Sequence, residues 1–132
     1  MARDQIGERV EAEGFAALSG YYVDGTAEAL ARLDRAIEAA RAAGPSEVLV
    51  RLLSQRGFIA RKDSSADAYF DEGIAVARAT GDPHLIAHAM VLSNAQPWTR
   101  GDLETHRRIL EEAYAFMKAS DAVRIRSVHS LS

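Results

Sequence analysis

A chain of 132 residues with 16 basic and 19 acidic side chains, a formal net charge of −3 and 48% apolar residues can bury one core but not two comfortable ones. It has no basic block to neutralise phosphates, so direct nucleic-acid binding is not expected, and the lack of cysteine excludes disulfides and thiolate metal sites. The charged opening MARDQIGERVEAEG lacks a hydrophobic signal region and no apolar run nears the roughly 20 residues of a membrane span, which predicts a cytoplasmic protein without membrane contact.

Much of the apolar content is alanine, only three prolines occur, and no alternating β-branched run stands out, so an all-α fold is expected. In chain order, a first helix is predicted from Asp4 to Val23, ended by Asp24-Gly25. Thr26 is the N-cap of a second, with Leu30, Leu33, Ile37 and Ala40 at helical spacing and Gly44 as its stop. Pro45-Ser46 opens a third helix carrying Val48, Leu49, Leu52, Leu53, Phe58 and Ile59. Ser64 with Asp67 three residues on resembles a capping box for the fourth, which presents Phe70, Ile74 and Ala77 and stops at Gly81.

Asp82 as N-cap and Pro83 at the first helical position start a fifth helix, which Pro97 must end or kink. Asp102 caps a sixth, with Ile109, Leu110, Ala113, Tyr114 and Met117 expected inward and Glu104–Arg108 and Arg108–Glu112 pairs outside. Asp121 is expected to cap a short seventh helix over 121–131 bearing Val123, Ile125, Val128 and Leu131. That last segment reads equally as a polar cap of an array or as the first helix of a further repeat.

Three stretches end alike: LDRAIEAARAAG, FDEGIAVARATG and LEEAYAFMKASD, whose leading Leu33, Phe70 and Leu110 stand 37 and 40 residues apart. A period of this length marks stacked two-helix units, each burying its apolar face against its neighbours. The expected architecture is an α-solenoid of antiparallel helix pairs, about three repeats (4–44, 45–81 and 82–120) and a C-terminal capping helix, all in one domain. The residues resemble a tetratricopeptide repeat array, whose second helices carry a small, a large apolar and another small residue. Here these are Ala29, Leu33, Ala36; Ala66, Phe70, Gly73; and His106, Leu110, Ala113, with His106 departing from the pattern. LLSQRGFIA partly matches the Leu-Gly-aromatic core of the first helices, with Gly57 displaced. The longer units, and phrases such as ARATGDPHLIAHA, are similar to the repeat regions of MalT-like bacterial transcriptional regulators. That resemblance implies binding of an inducer or a partner protein.

No sequence feature points to catalysis. Asp34 with Glu38, Asp71 with Glu72 and Glu111 with Glu112 fall on outer helix faces, where solvation is the expected role, and no Gly-x-Ser-x-Gly elbow or phosphate-cradling loop occurs. His84 and His88 lie four apart on one helical face, but without an intervening Glu or an evident third ligand neither a metal site nor a cofactor is expected. Trp98 is expected to plug the gap between successive units, the alternative being an anchor at a partner interface, and Tyr21 and Tyr22 are likewise expected to pack.

The resemblance implies that first helices line a concave groove, which makes Arg51, Gln55, His84, His88 and Asn94 the candidate binding residues. The leading functional expectation is a non-catalytic scaffold that holds a protein or peptide segment. The alternatives are an effector-sensing segment of a regulator, with a small-molecule ligand, and a homo-oligomerising module.

Overall fold

A computed structural model describes the backbone of residues 3–131, with side chains for residues 8–121 other than 95, 96 and 99. Among these are seven α-helices and no strand: α1 (Arg3–Asp24), α2 (Ala27–Ala43), α3 (Glu47–Ile59), α4 (Ala66–Thr80), α5 (Pro83–Ser93), α6 (Ala95–Arg100) and α7 (Leu103–Leu131). The all-α expectation holds. Among the described residues, no helix is long and apolar enough to cross a membrane.

Most helix starts are capped as expected, because a side-chain oxygen satisfies backbone donors that the first turn leaves unpaired. Thr26 Oγ1 accepts from the Ala29 N–H at 3.1 Å, and Ser46 Oγ accepts from Leu49 at 3.1 Å. Asp82 Oδ1 accepts from His84 at 3.0 Å and Leu85 at 3.4 Å, with Pro83 at the first helical position. Asp102 accepts from both the hydroxyl (2.6 Å) and the N–H (3.1 Å) of Thr105, which hold its carboxyl below the usual value. Gly81 and Gly101 end their helices at φ 73° and 76°, the left-handed turn that glycine adopts without a Cβ clash.

Three expected boundaries are corrected. The Ser64–Asp67 capping box does not form; Asp63 organises that turn, its Oδ1 accepting from the Ser65 N–H at 3.3 Å and Ser64 Oγ at 3.5 Å. Pro97 ends α5 as expected, but the break falls earlier, at Asn94: the proline cannot donate to the Ser93 carbonyl four residues back and its ring crowds it, so α5 stops at Ser93 and Pro97 itself lies in the first turn of α6. The sixth and seventh predicted helices are one 29-residue helix, because no glycine or proline intervenes and Asp121 alone cannot stop a helix already running. The apolar set Val123, Ile125, Val128 and Leu131 lies outside the residues whose side chains are described.

The rotation of α7 also differs from expectation. Ala113 is buried, with His106, Ile109 and Met117 partly so, while Leu110 and Tyr114 are 40% and 64% exposed. A stripe at 3–4 spacing centred on the small Ala113 lets α7 approach its neighbour closely. On its outer side the ion pair that forms is Arg107–Glu111 at 3.4 Å, not the two expected around Arg108.

Among the described residues, substantial packing occurs only between helices that are adjacent or next but one in the chain: α1 on α2, α3 on α4, α5 on α4 and α7, with α3 also against α1, α2 and α5. The core follows the chain in the same way. Val10, Ala17 and Leu18 of α1 join Leu33 and Ile37 of α2 and Leu49, Leu52 and Leu53 of α3. A second cluster links Val50 of α3 to Ala77, Leu85, Ile86 and Ala89, and a third gathers Ala60, Ala66 and Phe70. Helix α3 is thus apolar on both sides, with Val50, Leu52 and Leu53 fully buried.

Two of the carboxylates assigned to solvated faces, Asp34 and Glu72, instead tie helices together, while Glu38, Asp71, Glu111 and Glu112 are exposed as expected. Arg41 of α2 makes a two-pronged pair with Glu72 of α4, both contacts 2.7 Å, and also binds Glu38 at 2.6 Å. These charge-assisted bonds raise the Arg41 pKa, the Glu72 bond most of all. Asp34 of α2 accepts from Arg56 Nε of α3 at 2.8 Å, and that guanidinium lies 4.8 Å from the Tyr69 ring centroid. Asp67 of α4 pairs with Arg100 of α6 at 3.1 Å.

Candidate functional site

Four of the five expected binding residues fall on two stripes. Along α3 run Arg51, Gln55 and Phe58, and along α5 run His84, His88 and Val91, each set at i, i+4, i+7 and so on one helical face. The facing wall comes from α7, on which Leu110, Tyr114 and Asp121 share a face. His84 Nε2 lies 3.4 Å from Asp121 Oδ1, so α7 runs with its later turns beside the start of α5. Leu110, three turns earlier, meets the end of α5 around Val91 and Leu92.

The first part of this strip is polar. Arg51 is exposed and pairs with Glu47 of its own helix at 2.8 Å. Gln55 Oε1 accepts from the Tyr22 hydroxyl of α1 at 3.1 Å. Tyr22 is therefore 57% exposed and not a packing residue, contrary to expectation; the partial burial of its hydroxyl raises its pKa. His88 is held below the ordinary histidine value, first by desolvation and then by nearby Arg51, against the opposing pull of Glu47. A proton is thus bound more readily by the unfolded chain, and stability contributed by neutral His88 is present above the unfolded-state pKa and falls as pH drops towards the folded one. Lowering the pH from 7 to 5 should therefore reduce the urea midpoint, and His88→Gln should flatten that dependence. An unchanged slope in the variant would show that His88 is not the group responsible.

Among the described residues, no group of three or more His, Asp or Glu side chains gathers as a metal site. His84 faces Asp121, while His88 sits by Arg51, a cation that opposes metal binding.

Past the polar stretch the strip opens into a pocket of about 520 Å³ at the ends of α3 and α5. Its walls are mostly apolar: Phe58, Val91, Leu92, Trp98 and Leu110. Among the described residues its polar side chains are Arg61, Asn94 and His106. Trp98 does not plug the gap between units as expected; it is 62% exposed, with its ring 5.0 Å from that of His106. Arg61 lies over the Phe58 ring at 4.4 Å and donates to the Phe58 carbonyl at 3.0 Å.

Asn94, placed by sequence in an open groove, is only 3% exposed. Its Nδ2 donates to the His106 carbonyl at 3.0 Å, joining the break between α5 and α6 to the first turns of α7. Two atoms here are buried with no hydrogen-bond partner, Asn94 Oδ1 and His106 Nδ1. An unpaired buried polar atom costs about 1–3 kcal/mol, and both atoms lie out of reach of solvent, so they weigh on the stability of the α5–α6–α7 junction.

The pocket opens where the sequence recurrence departs from its pattern. Leu33 and Phe70, the large residues of the first two similar stretches, are buried, as are the small residues Ala29, Ala36, Ala66 and Gly73 of the same pattern. In the third stretch the imidazole of His106 replaces the small residue, and Leu110 lines the pocket and is 40% exposed. Phe58, Arg61, Val91, His106 and Leu110 were not among the sequence candidates, and Trp98 entered only as the alternative to a packing residue. The departure at His106, four residues ahead of Leu110 and close to the sole tryptophan, was the signal that pointed there. Comparison with protein-family models, curated proteins and solved structures finds no match.

Proposed function

We propose that this chain is a non-catalytic scaffold, a tetratricopeptide-like array of antiparallel helix pairs over about 4–44, 45–81 and 82–120, that holds a peptide or protein segment along the α3–α5–α7 strip. The array reading is supported by packing confined to near neighbours in the chain, by a core that advances with it, and by the Arg41–Glu72 and Asp67–Arg100 ties between α2, α4 and α6. The observation that carries the function is the continuity of the strip: a polar run of Arg51, Gln55, His84 and His88 leads directly into an apolar pocket open to solvent. Such a surface suits an extended segment held by a few polar anchors and one inserted side chain. From Asp121 to Leu110 the strip is about 16 Å long, the span of about five extended residues. An open pocket suits a protruding side chain better than an enclosed effector.

The test is selection of binders from a random peptide library on the immobilised chain, repeated with Arg51→Glu combined with His88→Ala. Both positions are exposed, and the Arg51–Glu47 pair contributes at most about 1 kcal/mol, so the double variant should keep its fold. Selected peptides should bind it at least about tenfold more weakly, as expected for loss of polar anchors. Peptides that bind both proteins equally, or no enrichment at all, would overturn the reading.

A further inference from the structure

Helix α7 carries a second surface, a quarter-turn round from the buried Ala113. Leu103, Arg107, Leu110 and Tyr114 follow one another at spacings of four, three and four, which sets them on one exposed seam. Leu110 belongs to the pocket as well, where Val91 and Trp98 stand with it, so the seam and the pocket mouth form one apolar surface. Val91, Trp98, Leu103, Leu110 and Tyr114 are all exposed, and together they leave roughly 500 Å² of apolar area to solvent. A stable interface of ordinary size covers about 800 Å² per partner, a little over half of it apolar, so this patch suffices for one side of such a contact.

The charges beside the seam select what covers it. In chain order along one flank stand Glu104, Arg107, Glu111 and Lys118, all exposed and alternating in sign, with Arg107 and Glu111 paired at 3.4 Å within the helix. A copy of the same helix laid parallel would set each charge beside its own kind. Laid antiparallel, the order reads Lys118, Glu111, Arg107, Glu104, and each charge meets its opposite. A two-fold axis across the helix produces that antiparallel arrangement, with one patch meeting its own copy.

We infer that α7 is the seam of a homodimer, in which two copies pack antiparallel with the two-fold axis beside Leu110. In that alignment Arg107 stands level with Glu111 of the second copy, twice over, and Tyr114 lies by the second copy's Leu103. Leu110 and Trp98 are then covered, so the dimer closes the pocket that the scaffold reading leaves open to a bound segment. The inference does not rest on that reading, because association needs no segment.

Sedimentation equilibrium of the full chain should give a mass that rises from one copy towards two with concentration. Leu110→Arg, at an exposed position, should keep its helical content and urea midpoint and stay at the mass of one copy. Arg107→Glu and Glu111→Arg, each alone, should weaken association at least about tenfold, because like charges then face each other twice. Mixed one to one, these two variants should associate as tightly as the wild type, since the flanks again meet with opposite charges. The ion pair within one helix cannot produce that rescue, because mixing restores it in neither variant.

A mass of one copy for the wild type up to about 1 mM, where only a negligible affinity would remain, overturns the inference. So does a dimer that survives Leu110→Arg, or a mixture no tighter than its components. The two readings fail separately. A chain that dimerises through α7 yet enriches no peptide loses the scaffold and keeps the dimer. A monomer whose library peptides are lost on Arg51→Glu with His88→Ala keeps the scaffold and loses the dimer.

Discussion

Leu52→Ala should lower the unfolding free energy by about 2–5 kcal/mol, a large part of the total for a domain of this size. Leu52 is fully buried in the cluster shared by α1, α2 and α3, and it sits against the bare backbone of α1 at Gly14. A β-carbon placed at Gly14 would stand 2.7 Å from Leu52 Cδ2 and 3.0 Å from Cδ1. The glycine is a hole for this side chain, and truncating Leu52 leaves a void that two packed helices cannot close. Gly14→Ala alone should be near neutral or destabilising, because the gain in helix propensity of about 1 kcal/mol meets that clash. In the Leu52→Ala background the same methyl has room, so the pair should be less destabilised than the sum of the single changes. Urea unfolding of the four proteins measures the coupling. Strict additivity would show that Leu52 does not depend on Gly14.

Gly57→Val should be the second severe change, costing about 1–3 kcal/mol or more. A β-carbon at Gly57 would lie 2.9–3.1 Å from three atoms of the Phe70 ring, and Phe70 is itself 3% exposed. A ring cannot fold away from such a contact as a leucine methyl can, so the last turn of α3 and the early turns of α4 must separate. Shrinking the opposing side chain with Phe70→Leu should restore part of the loss, and thermal unfolding of the double variant checks it. If Gly57→Val unfolds at the wild-type temperature, the close approach of α3 to α4 is wrong.

Both glycines illustrate how far the residues alone could be read. Gly57 was visible as a displaced member of a Leu-Gly-aromatic pattern, but its partner Phe70 lies on another helix and no local rule connects them. Helix starts at Thr26, Ser46, Asp82 and Asp102 were legible because an N-cap acts within four residues. The fused α7 was misread because an aspartate can begin a helix without ending the one before it. Asn94 was placed by sequence in an open groove, whereas its side chain is buried, because α7 folds back over the break between α5 and α6.

What the sequence determined by itself is local: helical composition, the helix caps, the turn glycines, and the two stripes at i, i+4, i+7 on α3 and α5. These follow from periodicity and short-range hydrogen bonding, which the order of residues contains. The tertiary structure alone decided that α7 stands as the third wall, that carboxylates such as Asp34 and Glu72 tie helices together, and that a mostly apolar pocket opens beside Trp98. Each of these depends on the rotation of one helix about its axis relative to another. Packing sets that angle through the summed fit of many side chains, and no short stretch of sequence carries it.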